Sequence, residues 1–176
     1  MSETKRRVRR GNAVILLALS LLMQAIQFIP SISVTPWAPY VALSLSLGVM
    51  LVSLRLSGFK TAVLIGLACP ALCWLQGVYQ VSTMLFTMLG NLVLTAGLWA
   101  MTGVSPKGRL TGFLLLALLR FTILSLGMAC MMVFLKGESW SAALYTAALT
   151  MRAQGFSALI AAAWATLWLR MTREKQ

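Results

Sequence analysis

Six long apolar runs constrain the fold of this chain more than any other feature of its sequence. They cover residues 13–29, 37–54, 61–75, 84–101, 110–135 and 154–171, and helix-breaking Pro and Gly residues occur between them. An α-helix needs about 20 mainly apolar residues to cross a bilayer, and backbone groups in lipid must be hydrogen-bonded within their own segment. The sequence therefore predicts an all-α membrane protein with six transmembrane helices.

The basic residues predict how these helices are oriented. Twelve of the fifteen Lys and Arg residues lie before the first run, after the second, after the fourth, or at and beyond the end of the sixth. The opposite side has only Lys136 and Arg152, and Arg120 lies within the fifth run. Because Lys and Arg concentrate in cytoplasmic segments, the N-terminus and the C-terminus are both predicted to be cytoplasmic.

The predicted domain organisation follows from this orientation. Residues 1–12 form a basic cytoplasmic tail, 13–171 the six-helix transmembrane domain and 172–176 a second tail. The first run is interpreted as a retained helix rather than a signal peptide, because it lacks a clear small-residue cleavage site.

The composition argues against several classes of function. A net charge of +12 can indicate a nucleic-acid partner, but here the basic residues flank apolar runs, so no nucleic acid is expected. Acid–base chemistry usually needs His, Asp, Glu or a metal, and the chain has no His or Asp and no Glu within a run, so an enzyme is not expected. Cys69, Cys73 and Cys130 are interpreted as small packing residues, which leaves no predicted metal site or cofactor.

Polar residues inside the apolar runs predict a binding site, because polar groups in lipid are costly. Thr87, Asn91 and Thr95 form a stripe at spacings of four, and other polar residues gather in the predicted outer half. We therefore expect a pocket that opens outward. Its predicted substrate-binding residues are Gln24, Gln27, Trp37, Tyr40, Tyr79, Gln80, Met84, Thr87, Asn91, Arg120, Arg152 and Gln154. The aromatic residues among them form either an interfacial belt or a lid over a solute.

Arg120 is the most informative of these residues. It lies ten residues after Leu110, which places it about 15 Å deep, near the bilayer midplane. Its functional interpretation is a counter-charge for an anionic ligand. The alternative is a structural role, with the side chain bonded to helix-end carbonyls or extending toward the cytoplasm. Asn91 has the same two interpretations, as a ligand contact or as a bond between helices.

Three segments resemble a known family. They are "GLACPALCWLQGVYQVSTMLFTMLGNLVLTAGLWAM" from Gly66, "LLLALLRFTILSLG" from Leu114 and "RAQGFSALIAAAWATLWL" from Arg152. In their order and character they resemble the substrate-binding S components of energy-coupling factor (ECF) transporters. These are small six-helix proteins of the bacterial inner membrane that capture a vitamin or similar micronutrient.

The resemblance implies a small-molecule substrate, a multi-pass location in that membrane, and partners that supply energy: a transmembrane T component and two cytoplasmic ATPases. The chain has no nucleotide-binding phosphate loop of its own. Many S components dock through an Ala-x-x-x-Ala pair in helix one, whereas Ala13 and Ala18 are five residues apart; these two are the predicted docking residues. The absence of His points to an organic substrate rather than nickel or cobalt. The alternative function is an envelope scaffold of the rod-shape-determining MreD type.

Overall fold

The computed structural model describes residues 12–20, 22, 38–77, 79–101 and 106–173, and it contains helices but no strands within these ranges. A first helical segment, α1, covers residues 12–20. The other helices are α2 (Ala38–Leu56), α3 (Phe59–Leu75), α4 (Val81–Ala100), α5 (Pro106–Lys136) and α6 (Trp140–Arg173). The all-α class predicted from the apolar runs is confirmed for this part of the chain.

The last helix differs from its prediction. The sixth apolar run was expected from about residue 154, but α6 begins at Trp140 and continues without interruption. Its first half is rich in Ala and Leu, which are strong helix formers, so the helix extends beyond the most apolar stretch. Gly137, at φ 69°, ends α5 in a left-handed turn, and residues 137–139 connect the two helices. Arg152 therefore lies inside α6, and its assignment to an outer connection was wrong.

Five of the helices pack as a closed ring. Around the ring, α3 contacts α4, α4 contacts α5, α5 contacts α6, α6 contacts α2, and α2 contacts α3. Leu16 of α1 packs into the interior beside residues of α2 and α3. Every helix of the ring therefore presents one face to a common core.

Glycines bring α4 and α5 close together. A Cβ atom at Gly90 of α4 would lie 2.9 Å from Cγ of Arg120, and one at Gly97 would lie 2.5 Å from the Leu116 side chain. On α5, a Cβ at Gly127 would lie 2.4 Å from the Phe86 ring. The two helices run antiparallel, and these contacts align Arg120 with the middle of α4.

A polar layer separates two apolar clusters in the core. Leu94, Ala117 and Ala158 belong to the first cluster, whereas Leu124 and Met151 belong to the second. Along α4, α5 and α6, the buried residues Asn91, Arg120 and Gln154 occupy the positions between these clusters. The interior is thus polar at its centre and apolar above and below.

Much of the outer surface is apolar. Leu115 and Leu118 of α5 are both 62% exposed, and Phe134 is 77% exposed, while Arg120 is 1% exposed. Two helical segments, Val81–Ala100 and Thr111–Lys136, are long and apolar enough to cross a membrane, and Tyr40–Leu56 and Phe59–Leu75 are shorter apolar helices. These lengths and compositions are consistent with association of the chain with a membrane.

Candidate functional site

The Arg120 guanidinium is the centre of a buried hydrogen-bond network. Its Nε–H donates to Oδ1 of Asn91 at 3.0 Å. The Nη1 group donates to the backbone carbonyl of Gln154 at 3.1 Å, and Nη2 donates to Oε1 of the same residue at 2.7 Å. The side chain is therefore fixed between α4 and α6, and it does not extend toward a helix end.

Asn91 is itself positioned by an irregularity in α3. Pro70 lies inside α3 and has no N–H, so the carbonyl of Gly66, four residues earlier, lacks its usual helical donor. The Nδ2 group of Asn91 donates to this carbonyl at 2.8 Å. The Asn91 amide is thereby oriented with its oxygen toward Arg120, and it joins α3, α4 and α5.

Gln154 extends the network to the end of α3. Its Nε2 group donates to the Tyr79 hydroxyl at 2.6 Å. Tyr79 follows Gly77, whose φ of 73° ends the helix, and the Tyr79 N–H donates to the Cys73 carbonyl at 3.1 Å. As a residue Tyr79 is partly exposed, but its hydroxyl is enclosed, and this burial raises the pKa of the phenol above its usual value. The hydroxyl therefore stays neutral and keeps its proton.

The charge of Arg120 has only neutral partners among the described residues. All three of its bonds end on amide or carbonyl oxygens. Glu138 is the single acid in the described part of the chain, and it lies in the connection after α5, far along the sequence from Arg120. A buried cation without an anionic partner is costly, because desolvation disfavours its charge.

A small cavity adjoins the guanidinium. It has a volume of about 20 Å³, which is room for about one water molecule. Its polar lining residues are Ser46, Tyr79, Thr87, Asn91, Arg120 and Gln154, and residues of α2 and α3 complete the wall. Thr87 is 3% exposed and its hydroxyl oxygen has no hydrogen-bond partner among the described residues. Thr87 therefore lines the same cavity as the charged guanidinium, and its hydroxyl oxygen is buried beside it.

The structure brings five of the predicted site residues together: Tyr79, Thr87, Asn91, Arg120 and Gln154 all line this cavity. Tyr40 does not line the cavity; its backbone carbonyl accepts a hydrogen bond from the Ser157 hydroxyl at 3.2 Å.

The remaining predicted residues do not join this group. Met84 is half-buried and Gln80 is exposed, and neither lines the cavity. Gln24, Gln27 and Trp37 lie outside the described residues. On α1, Ala13 is half-buried and Ala18 is exposed.

Arg152 lies on a different surface from Arg120. It is exposed, and it borders a groove of about 340 Å³ between α5 and α6. Apolar residues form the rest of the groove, including Leu118, Phe121 and Phe156. The expectation that Arg152 contributes to the same site as Arg120 is not met, because Arg152 is exposed on a different face of α6 from Gln154, which bonds to Arg120.

Sequence analysis missed the wall of the cavity that α2 supplies. Leu43, Ser46, Leu47 and Met50 line it, and Met50 also accepts a 3.5 Å bond from the Thr95 hydroxyl. The only signal for this wall was a pair of serines, Ser44 and Ser46, within an apolar run. Gly90 was also missed as a determinant of the site, although it directly precedes Asn91 in the "LGN" segment.

Comparison with known proteins gives no match to a protein-family model, to a curated protein or to a solved structure.

Proposed function

We propose that this chain is a membrane protein that binds a small organic anion at Arg120, as the substrate-capturing subunit of an ECF-type importer. The observation that carries the proposal is a fully buried guanidinium that is bonded only to neutral oxygens among the described residues and adjoins a cavity. Intramembrane cations of this kind are rarely retained for packing alone. The vitamin-like nature of the solute and the partnership with a T component and two ATPases come from the family resemblance.

A bilayer location is supported by the distribution of polarity. Large apolar side chains are exposed around α4, α5 and α6, and the polar groups are concentrated inside. The 20 residues of α4 span about 30 Å, which equals the hydrocarbon thickness, and Asn91 lies at the middle of this helix. We propose six spans with both termini in the cytoplasm. With Arg152 removed from the outer connections, Lys136 is the one basic residue left on the predicted outer side.

A carboxylate could replace Gln154 as the partner of Arg120. Nη1 and Nη2 now donate to two oxygens of Gln154, and these are the two donors that form a bidentate bond with a carboxylate. The bonds to Gln154 are already charge-assisted on the donor side, and a carboxylate adds the attraction of opposite charges, so the exchange favours an anionic solute. Asn91 would continue to hold Nε, and the guanidinium would keep its orientation.

Binding requires the cavity to enlarge. Its present volume of about 20 Å³ is far below the roughly 300 Å³ or more of typical ligand pockets. Polar bonds between the α2 wall and other helices include those from Ser157 to the Tyr40 carbonyl and from Thr95 to the Met50 sulfur. Outward displacement of α2 would open the site, at the cost of these bonds and of the apolar contacts that Leu47 and Met50 make in the core.

The small cavity also favours a second candidate, an envelope scaffold without a solute. In that case Arg120 joins α4, α5 and α6 only as a structural cross-link. A scaffold predicts that the purified protein carries no small molecule and co-purifies with envelope-synthesis proteins.

Native mass spectrometry of the purified protein, followed by thermal-shift assays with carboxylate-bearing and neutral vitamins, tests these alternatives. We expect at least one carboxylate-bearing compound to stabilise the protein. Arg120→Gln should abolish this stabilisation, while Arg152→Gln, which removes an exposed arginine from the neighbouring groove, should retain it. Equal losses in both variants, or no bound molecule and no shift in the wild-type protein, would favour the scaffold.

A further inference from the structure

We infer that the cavity beside Arg120 binds a single chloride ion in the solute-free protein. The charge balance gives the first reason. Arg120 is buried, its three hydrogen bonds end on neutral oxygens, and no acid among the described residues reaches it. In a low-dielectric interior, an adjacent anion relieves the unfavourable energy of an unpaired cation, and a water molecule relieves it much less.

Hydrogen-bond donors give the second reason. A guanidinium has more N–H groups than the three bonds of Arg120 use. The Thr87 hydroxyl lines the same cavity and has no partner in the described part of the chain. Three other helical threonines show the contrast, because Thr95, Thr122 and Thr150 each donate to the carbonyl four residues earlier. Thr87 does not make this bond, so its proton is available to a ligand in the cavity.

Tyr79 adds a further donor. Its oxygen accepts from Gln154, and its own proton is donated to none of the described residues. The cavity wall is mostly apolar, and its donor-bearing residues Arg120, Thr87 and Tyr79 come from α5, from α4 and from the connection between α3 and α4. Donors of this kind suit an anion, since an anion can only accept hydrogen bonds.

The volume selects a monatomic ion. About 20 Å³ accommodates one particle of roughly the size of water. Phosphate, sulfate and carboxylates with an organic body require more room. Chloride, a monatomic ion somewhat larger than a water molecule, is the abundant anion closest to this size.

Chloride binding to the purified full-length protein can be measured by equilibrium dialysis with radiolabelled chloride in gluconate buffer. We expect saturable binding of one ion per chain. Thr87→Val, which keeps the shape of the side chain and removes the hydroxyl, should weaken binding roughly tenfold. Thr122→Val is the matched control, because Thr122 is exposed and bonded to its own helix; its affinity should equal that of the wild type.

Arg120→Gln should abolish chloride binding, and size-exclusion chromatography establishes whether this variant folds. If Arg120→Gln does not fold, Thr87→Val still tests the inference, because the hydroxyl that it removes is unpaired among the described residues. Absence of saturable chloride binding by the wild-type protein would mean that the cavity holds only water, and would overturn the inference. Unchanged affinity in Thr87→Val would overturn the assignment to this cavity.

This inference stands apart from the proposed solute function. Chloride binding without any solute binding would reject the importer and retain the ion site. Solute binding without chloride binding would reject the ion site and retain the importer. If both are correct, the two ligands compete for Arg120, and raising the chloride concentration weakens the apparent solute affinity.

Discussion

The side-chain amide of Asn91 donates to the Gly66 carbonyl at 2.8 Å, and this bond replaces the helical one that Pro70 cannot make. The bond connects a local irregularity in α3 with the orientation of Arg120, because the same Asn91 amide accepts from the guanidinium at 3.0 Å. From there the network continues to Gln154 and Tyr79. A proline in one helix thus helps to orient a cation in another.

The bond from Asn91 to the Gly66 carbonyl predicts that substitutions of Asn91 and Pro70 have non-additive effects on the free energy of unfolding. Asn91→Ala leaves the Gly66 carbonyl and Arg120 Nε without partners, and should lower the free energy of unfolding by about 2–5 kcal/mol. In a Pro70→Ala background, the backbone N–H that the substitution adds takes over the carbonyl, so the same Asn91→Ala change should lower it by about 1 kcal/mol less. Denaturant unfolding in detergent measures this free energy for the wild type, the two single variants and the double variant. Identical losses in the two backgrounds would contradict the coupling.

Close packing at Gly90 predicts that a single methyl group added at this position lowers the stability of the protein. In Gly90→Ala the new Cβ would lie 2.9 Å from Arg120 Cγ, near the fixed stem of the side chain. We expect a loss of about 1–3 kcal/mol in the free energy of unfolding, together with weaker chloride binding. Gly155→Ala is the control, since its Cβ would meet the half-buried Phe121 ring at 3.1 Å in the groove that Arg152 borders, and not the Arg120 side chain. If Gly155→Ala is as damaging as Gly90→Ala, the importance of the Arg120 contact is refuted.

A carboxylate at position 154 should stabilise the protein and inactivate the site. Gln154 Oε1 lies 2.7 Å from Nη2 of Arg120, so Gln154→Glu places a negative charge beside the unpaired cation. We expect a higher unfolding temperature, because a buried cation gains an anionic partner, and loss of both chloride and solute binding.

Gln80→Glu provides the control for this change, because Gln80 is exposed and does not line the cavity. It should leave chloride binding and the unfolding temperature unchanged. Undiminished chloride affinity in Gln154→Glu would show that the ion does not bind at Arg120.

Tyr79 predicts a pH dependence of stability. Burial raises the pKa of its phenol above the usual value of about 10, so the folded state favours the neutral form. The stabilisation is fully present below pH of about 10 and decreases as the pH rises beyond that value toward the raised pKa of the folded state. Tyr79→Phe should remove this decrease, and should lower the free energy of unfolding at neutral pH by about 1–3 kcal/mol, because Gln154 Nε2 loses its acceptor.

Unfolding measured between pH of about 7 and about 11 compares Tyr79→Phe with the wild type across the range in which the phenol titrates. Tyr145→Phe is the control, since Tyr145 is 70% exposed. If the decrease in stability at high pH persists unchanged in Tyr79→Phe, groups other than Tyr79 cause it.

The sequence by itself determined the helices and the burial of one face of α4. Four of the apolar runs agree with α2–α5 to within a few residues, because the length and apolar content of a segment are local properties. The spacing of Thr87, Asn91 and Thr95 correctly indicated a shared buried face, since residues four apart lie on the same side of a helix. The start of α6 was not predicted, because helix propensity continues past the point where hydropathy falls.

The tertiary structure alone decided which residues meet. Gln154 and Arg152 are two positions apart on α6 and were assigned to one site, yet a helix turns them roughly 200° away from each other. Gln154 is buried against Arg120, and Arg152 faces outward. The partners of Arg120, the donor for Gly66 and the volume of the cavity all depend on how helices distant in sequence pack together, which no local pattern of residues specifies.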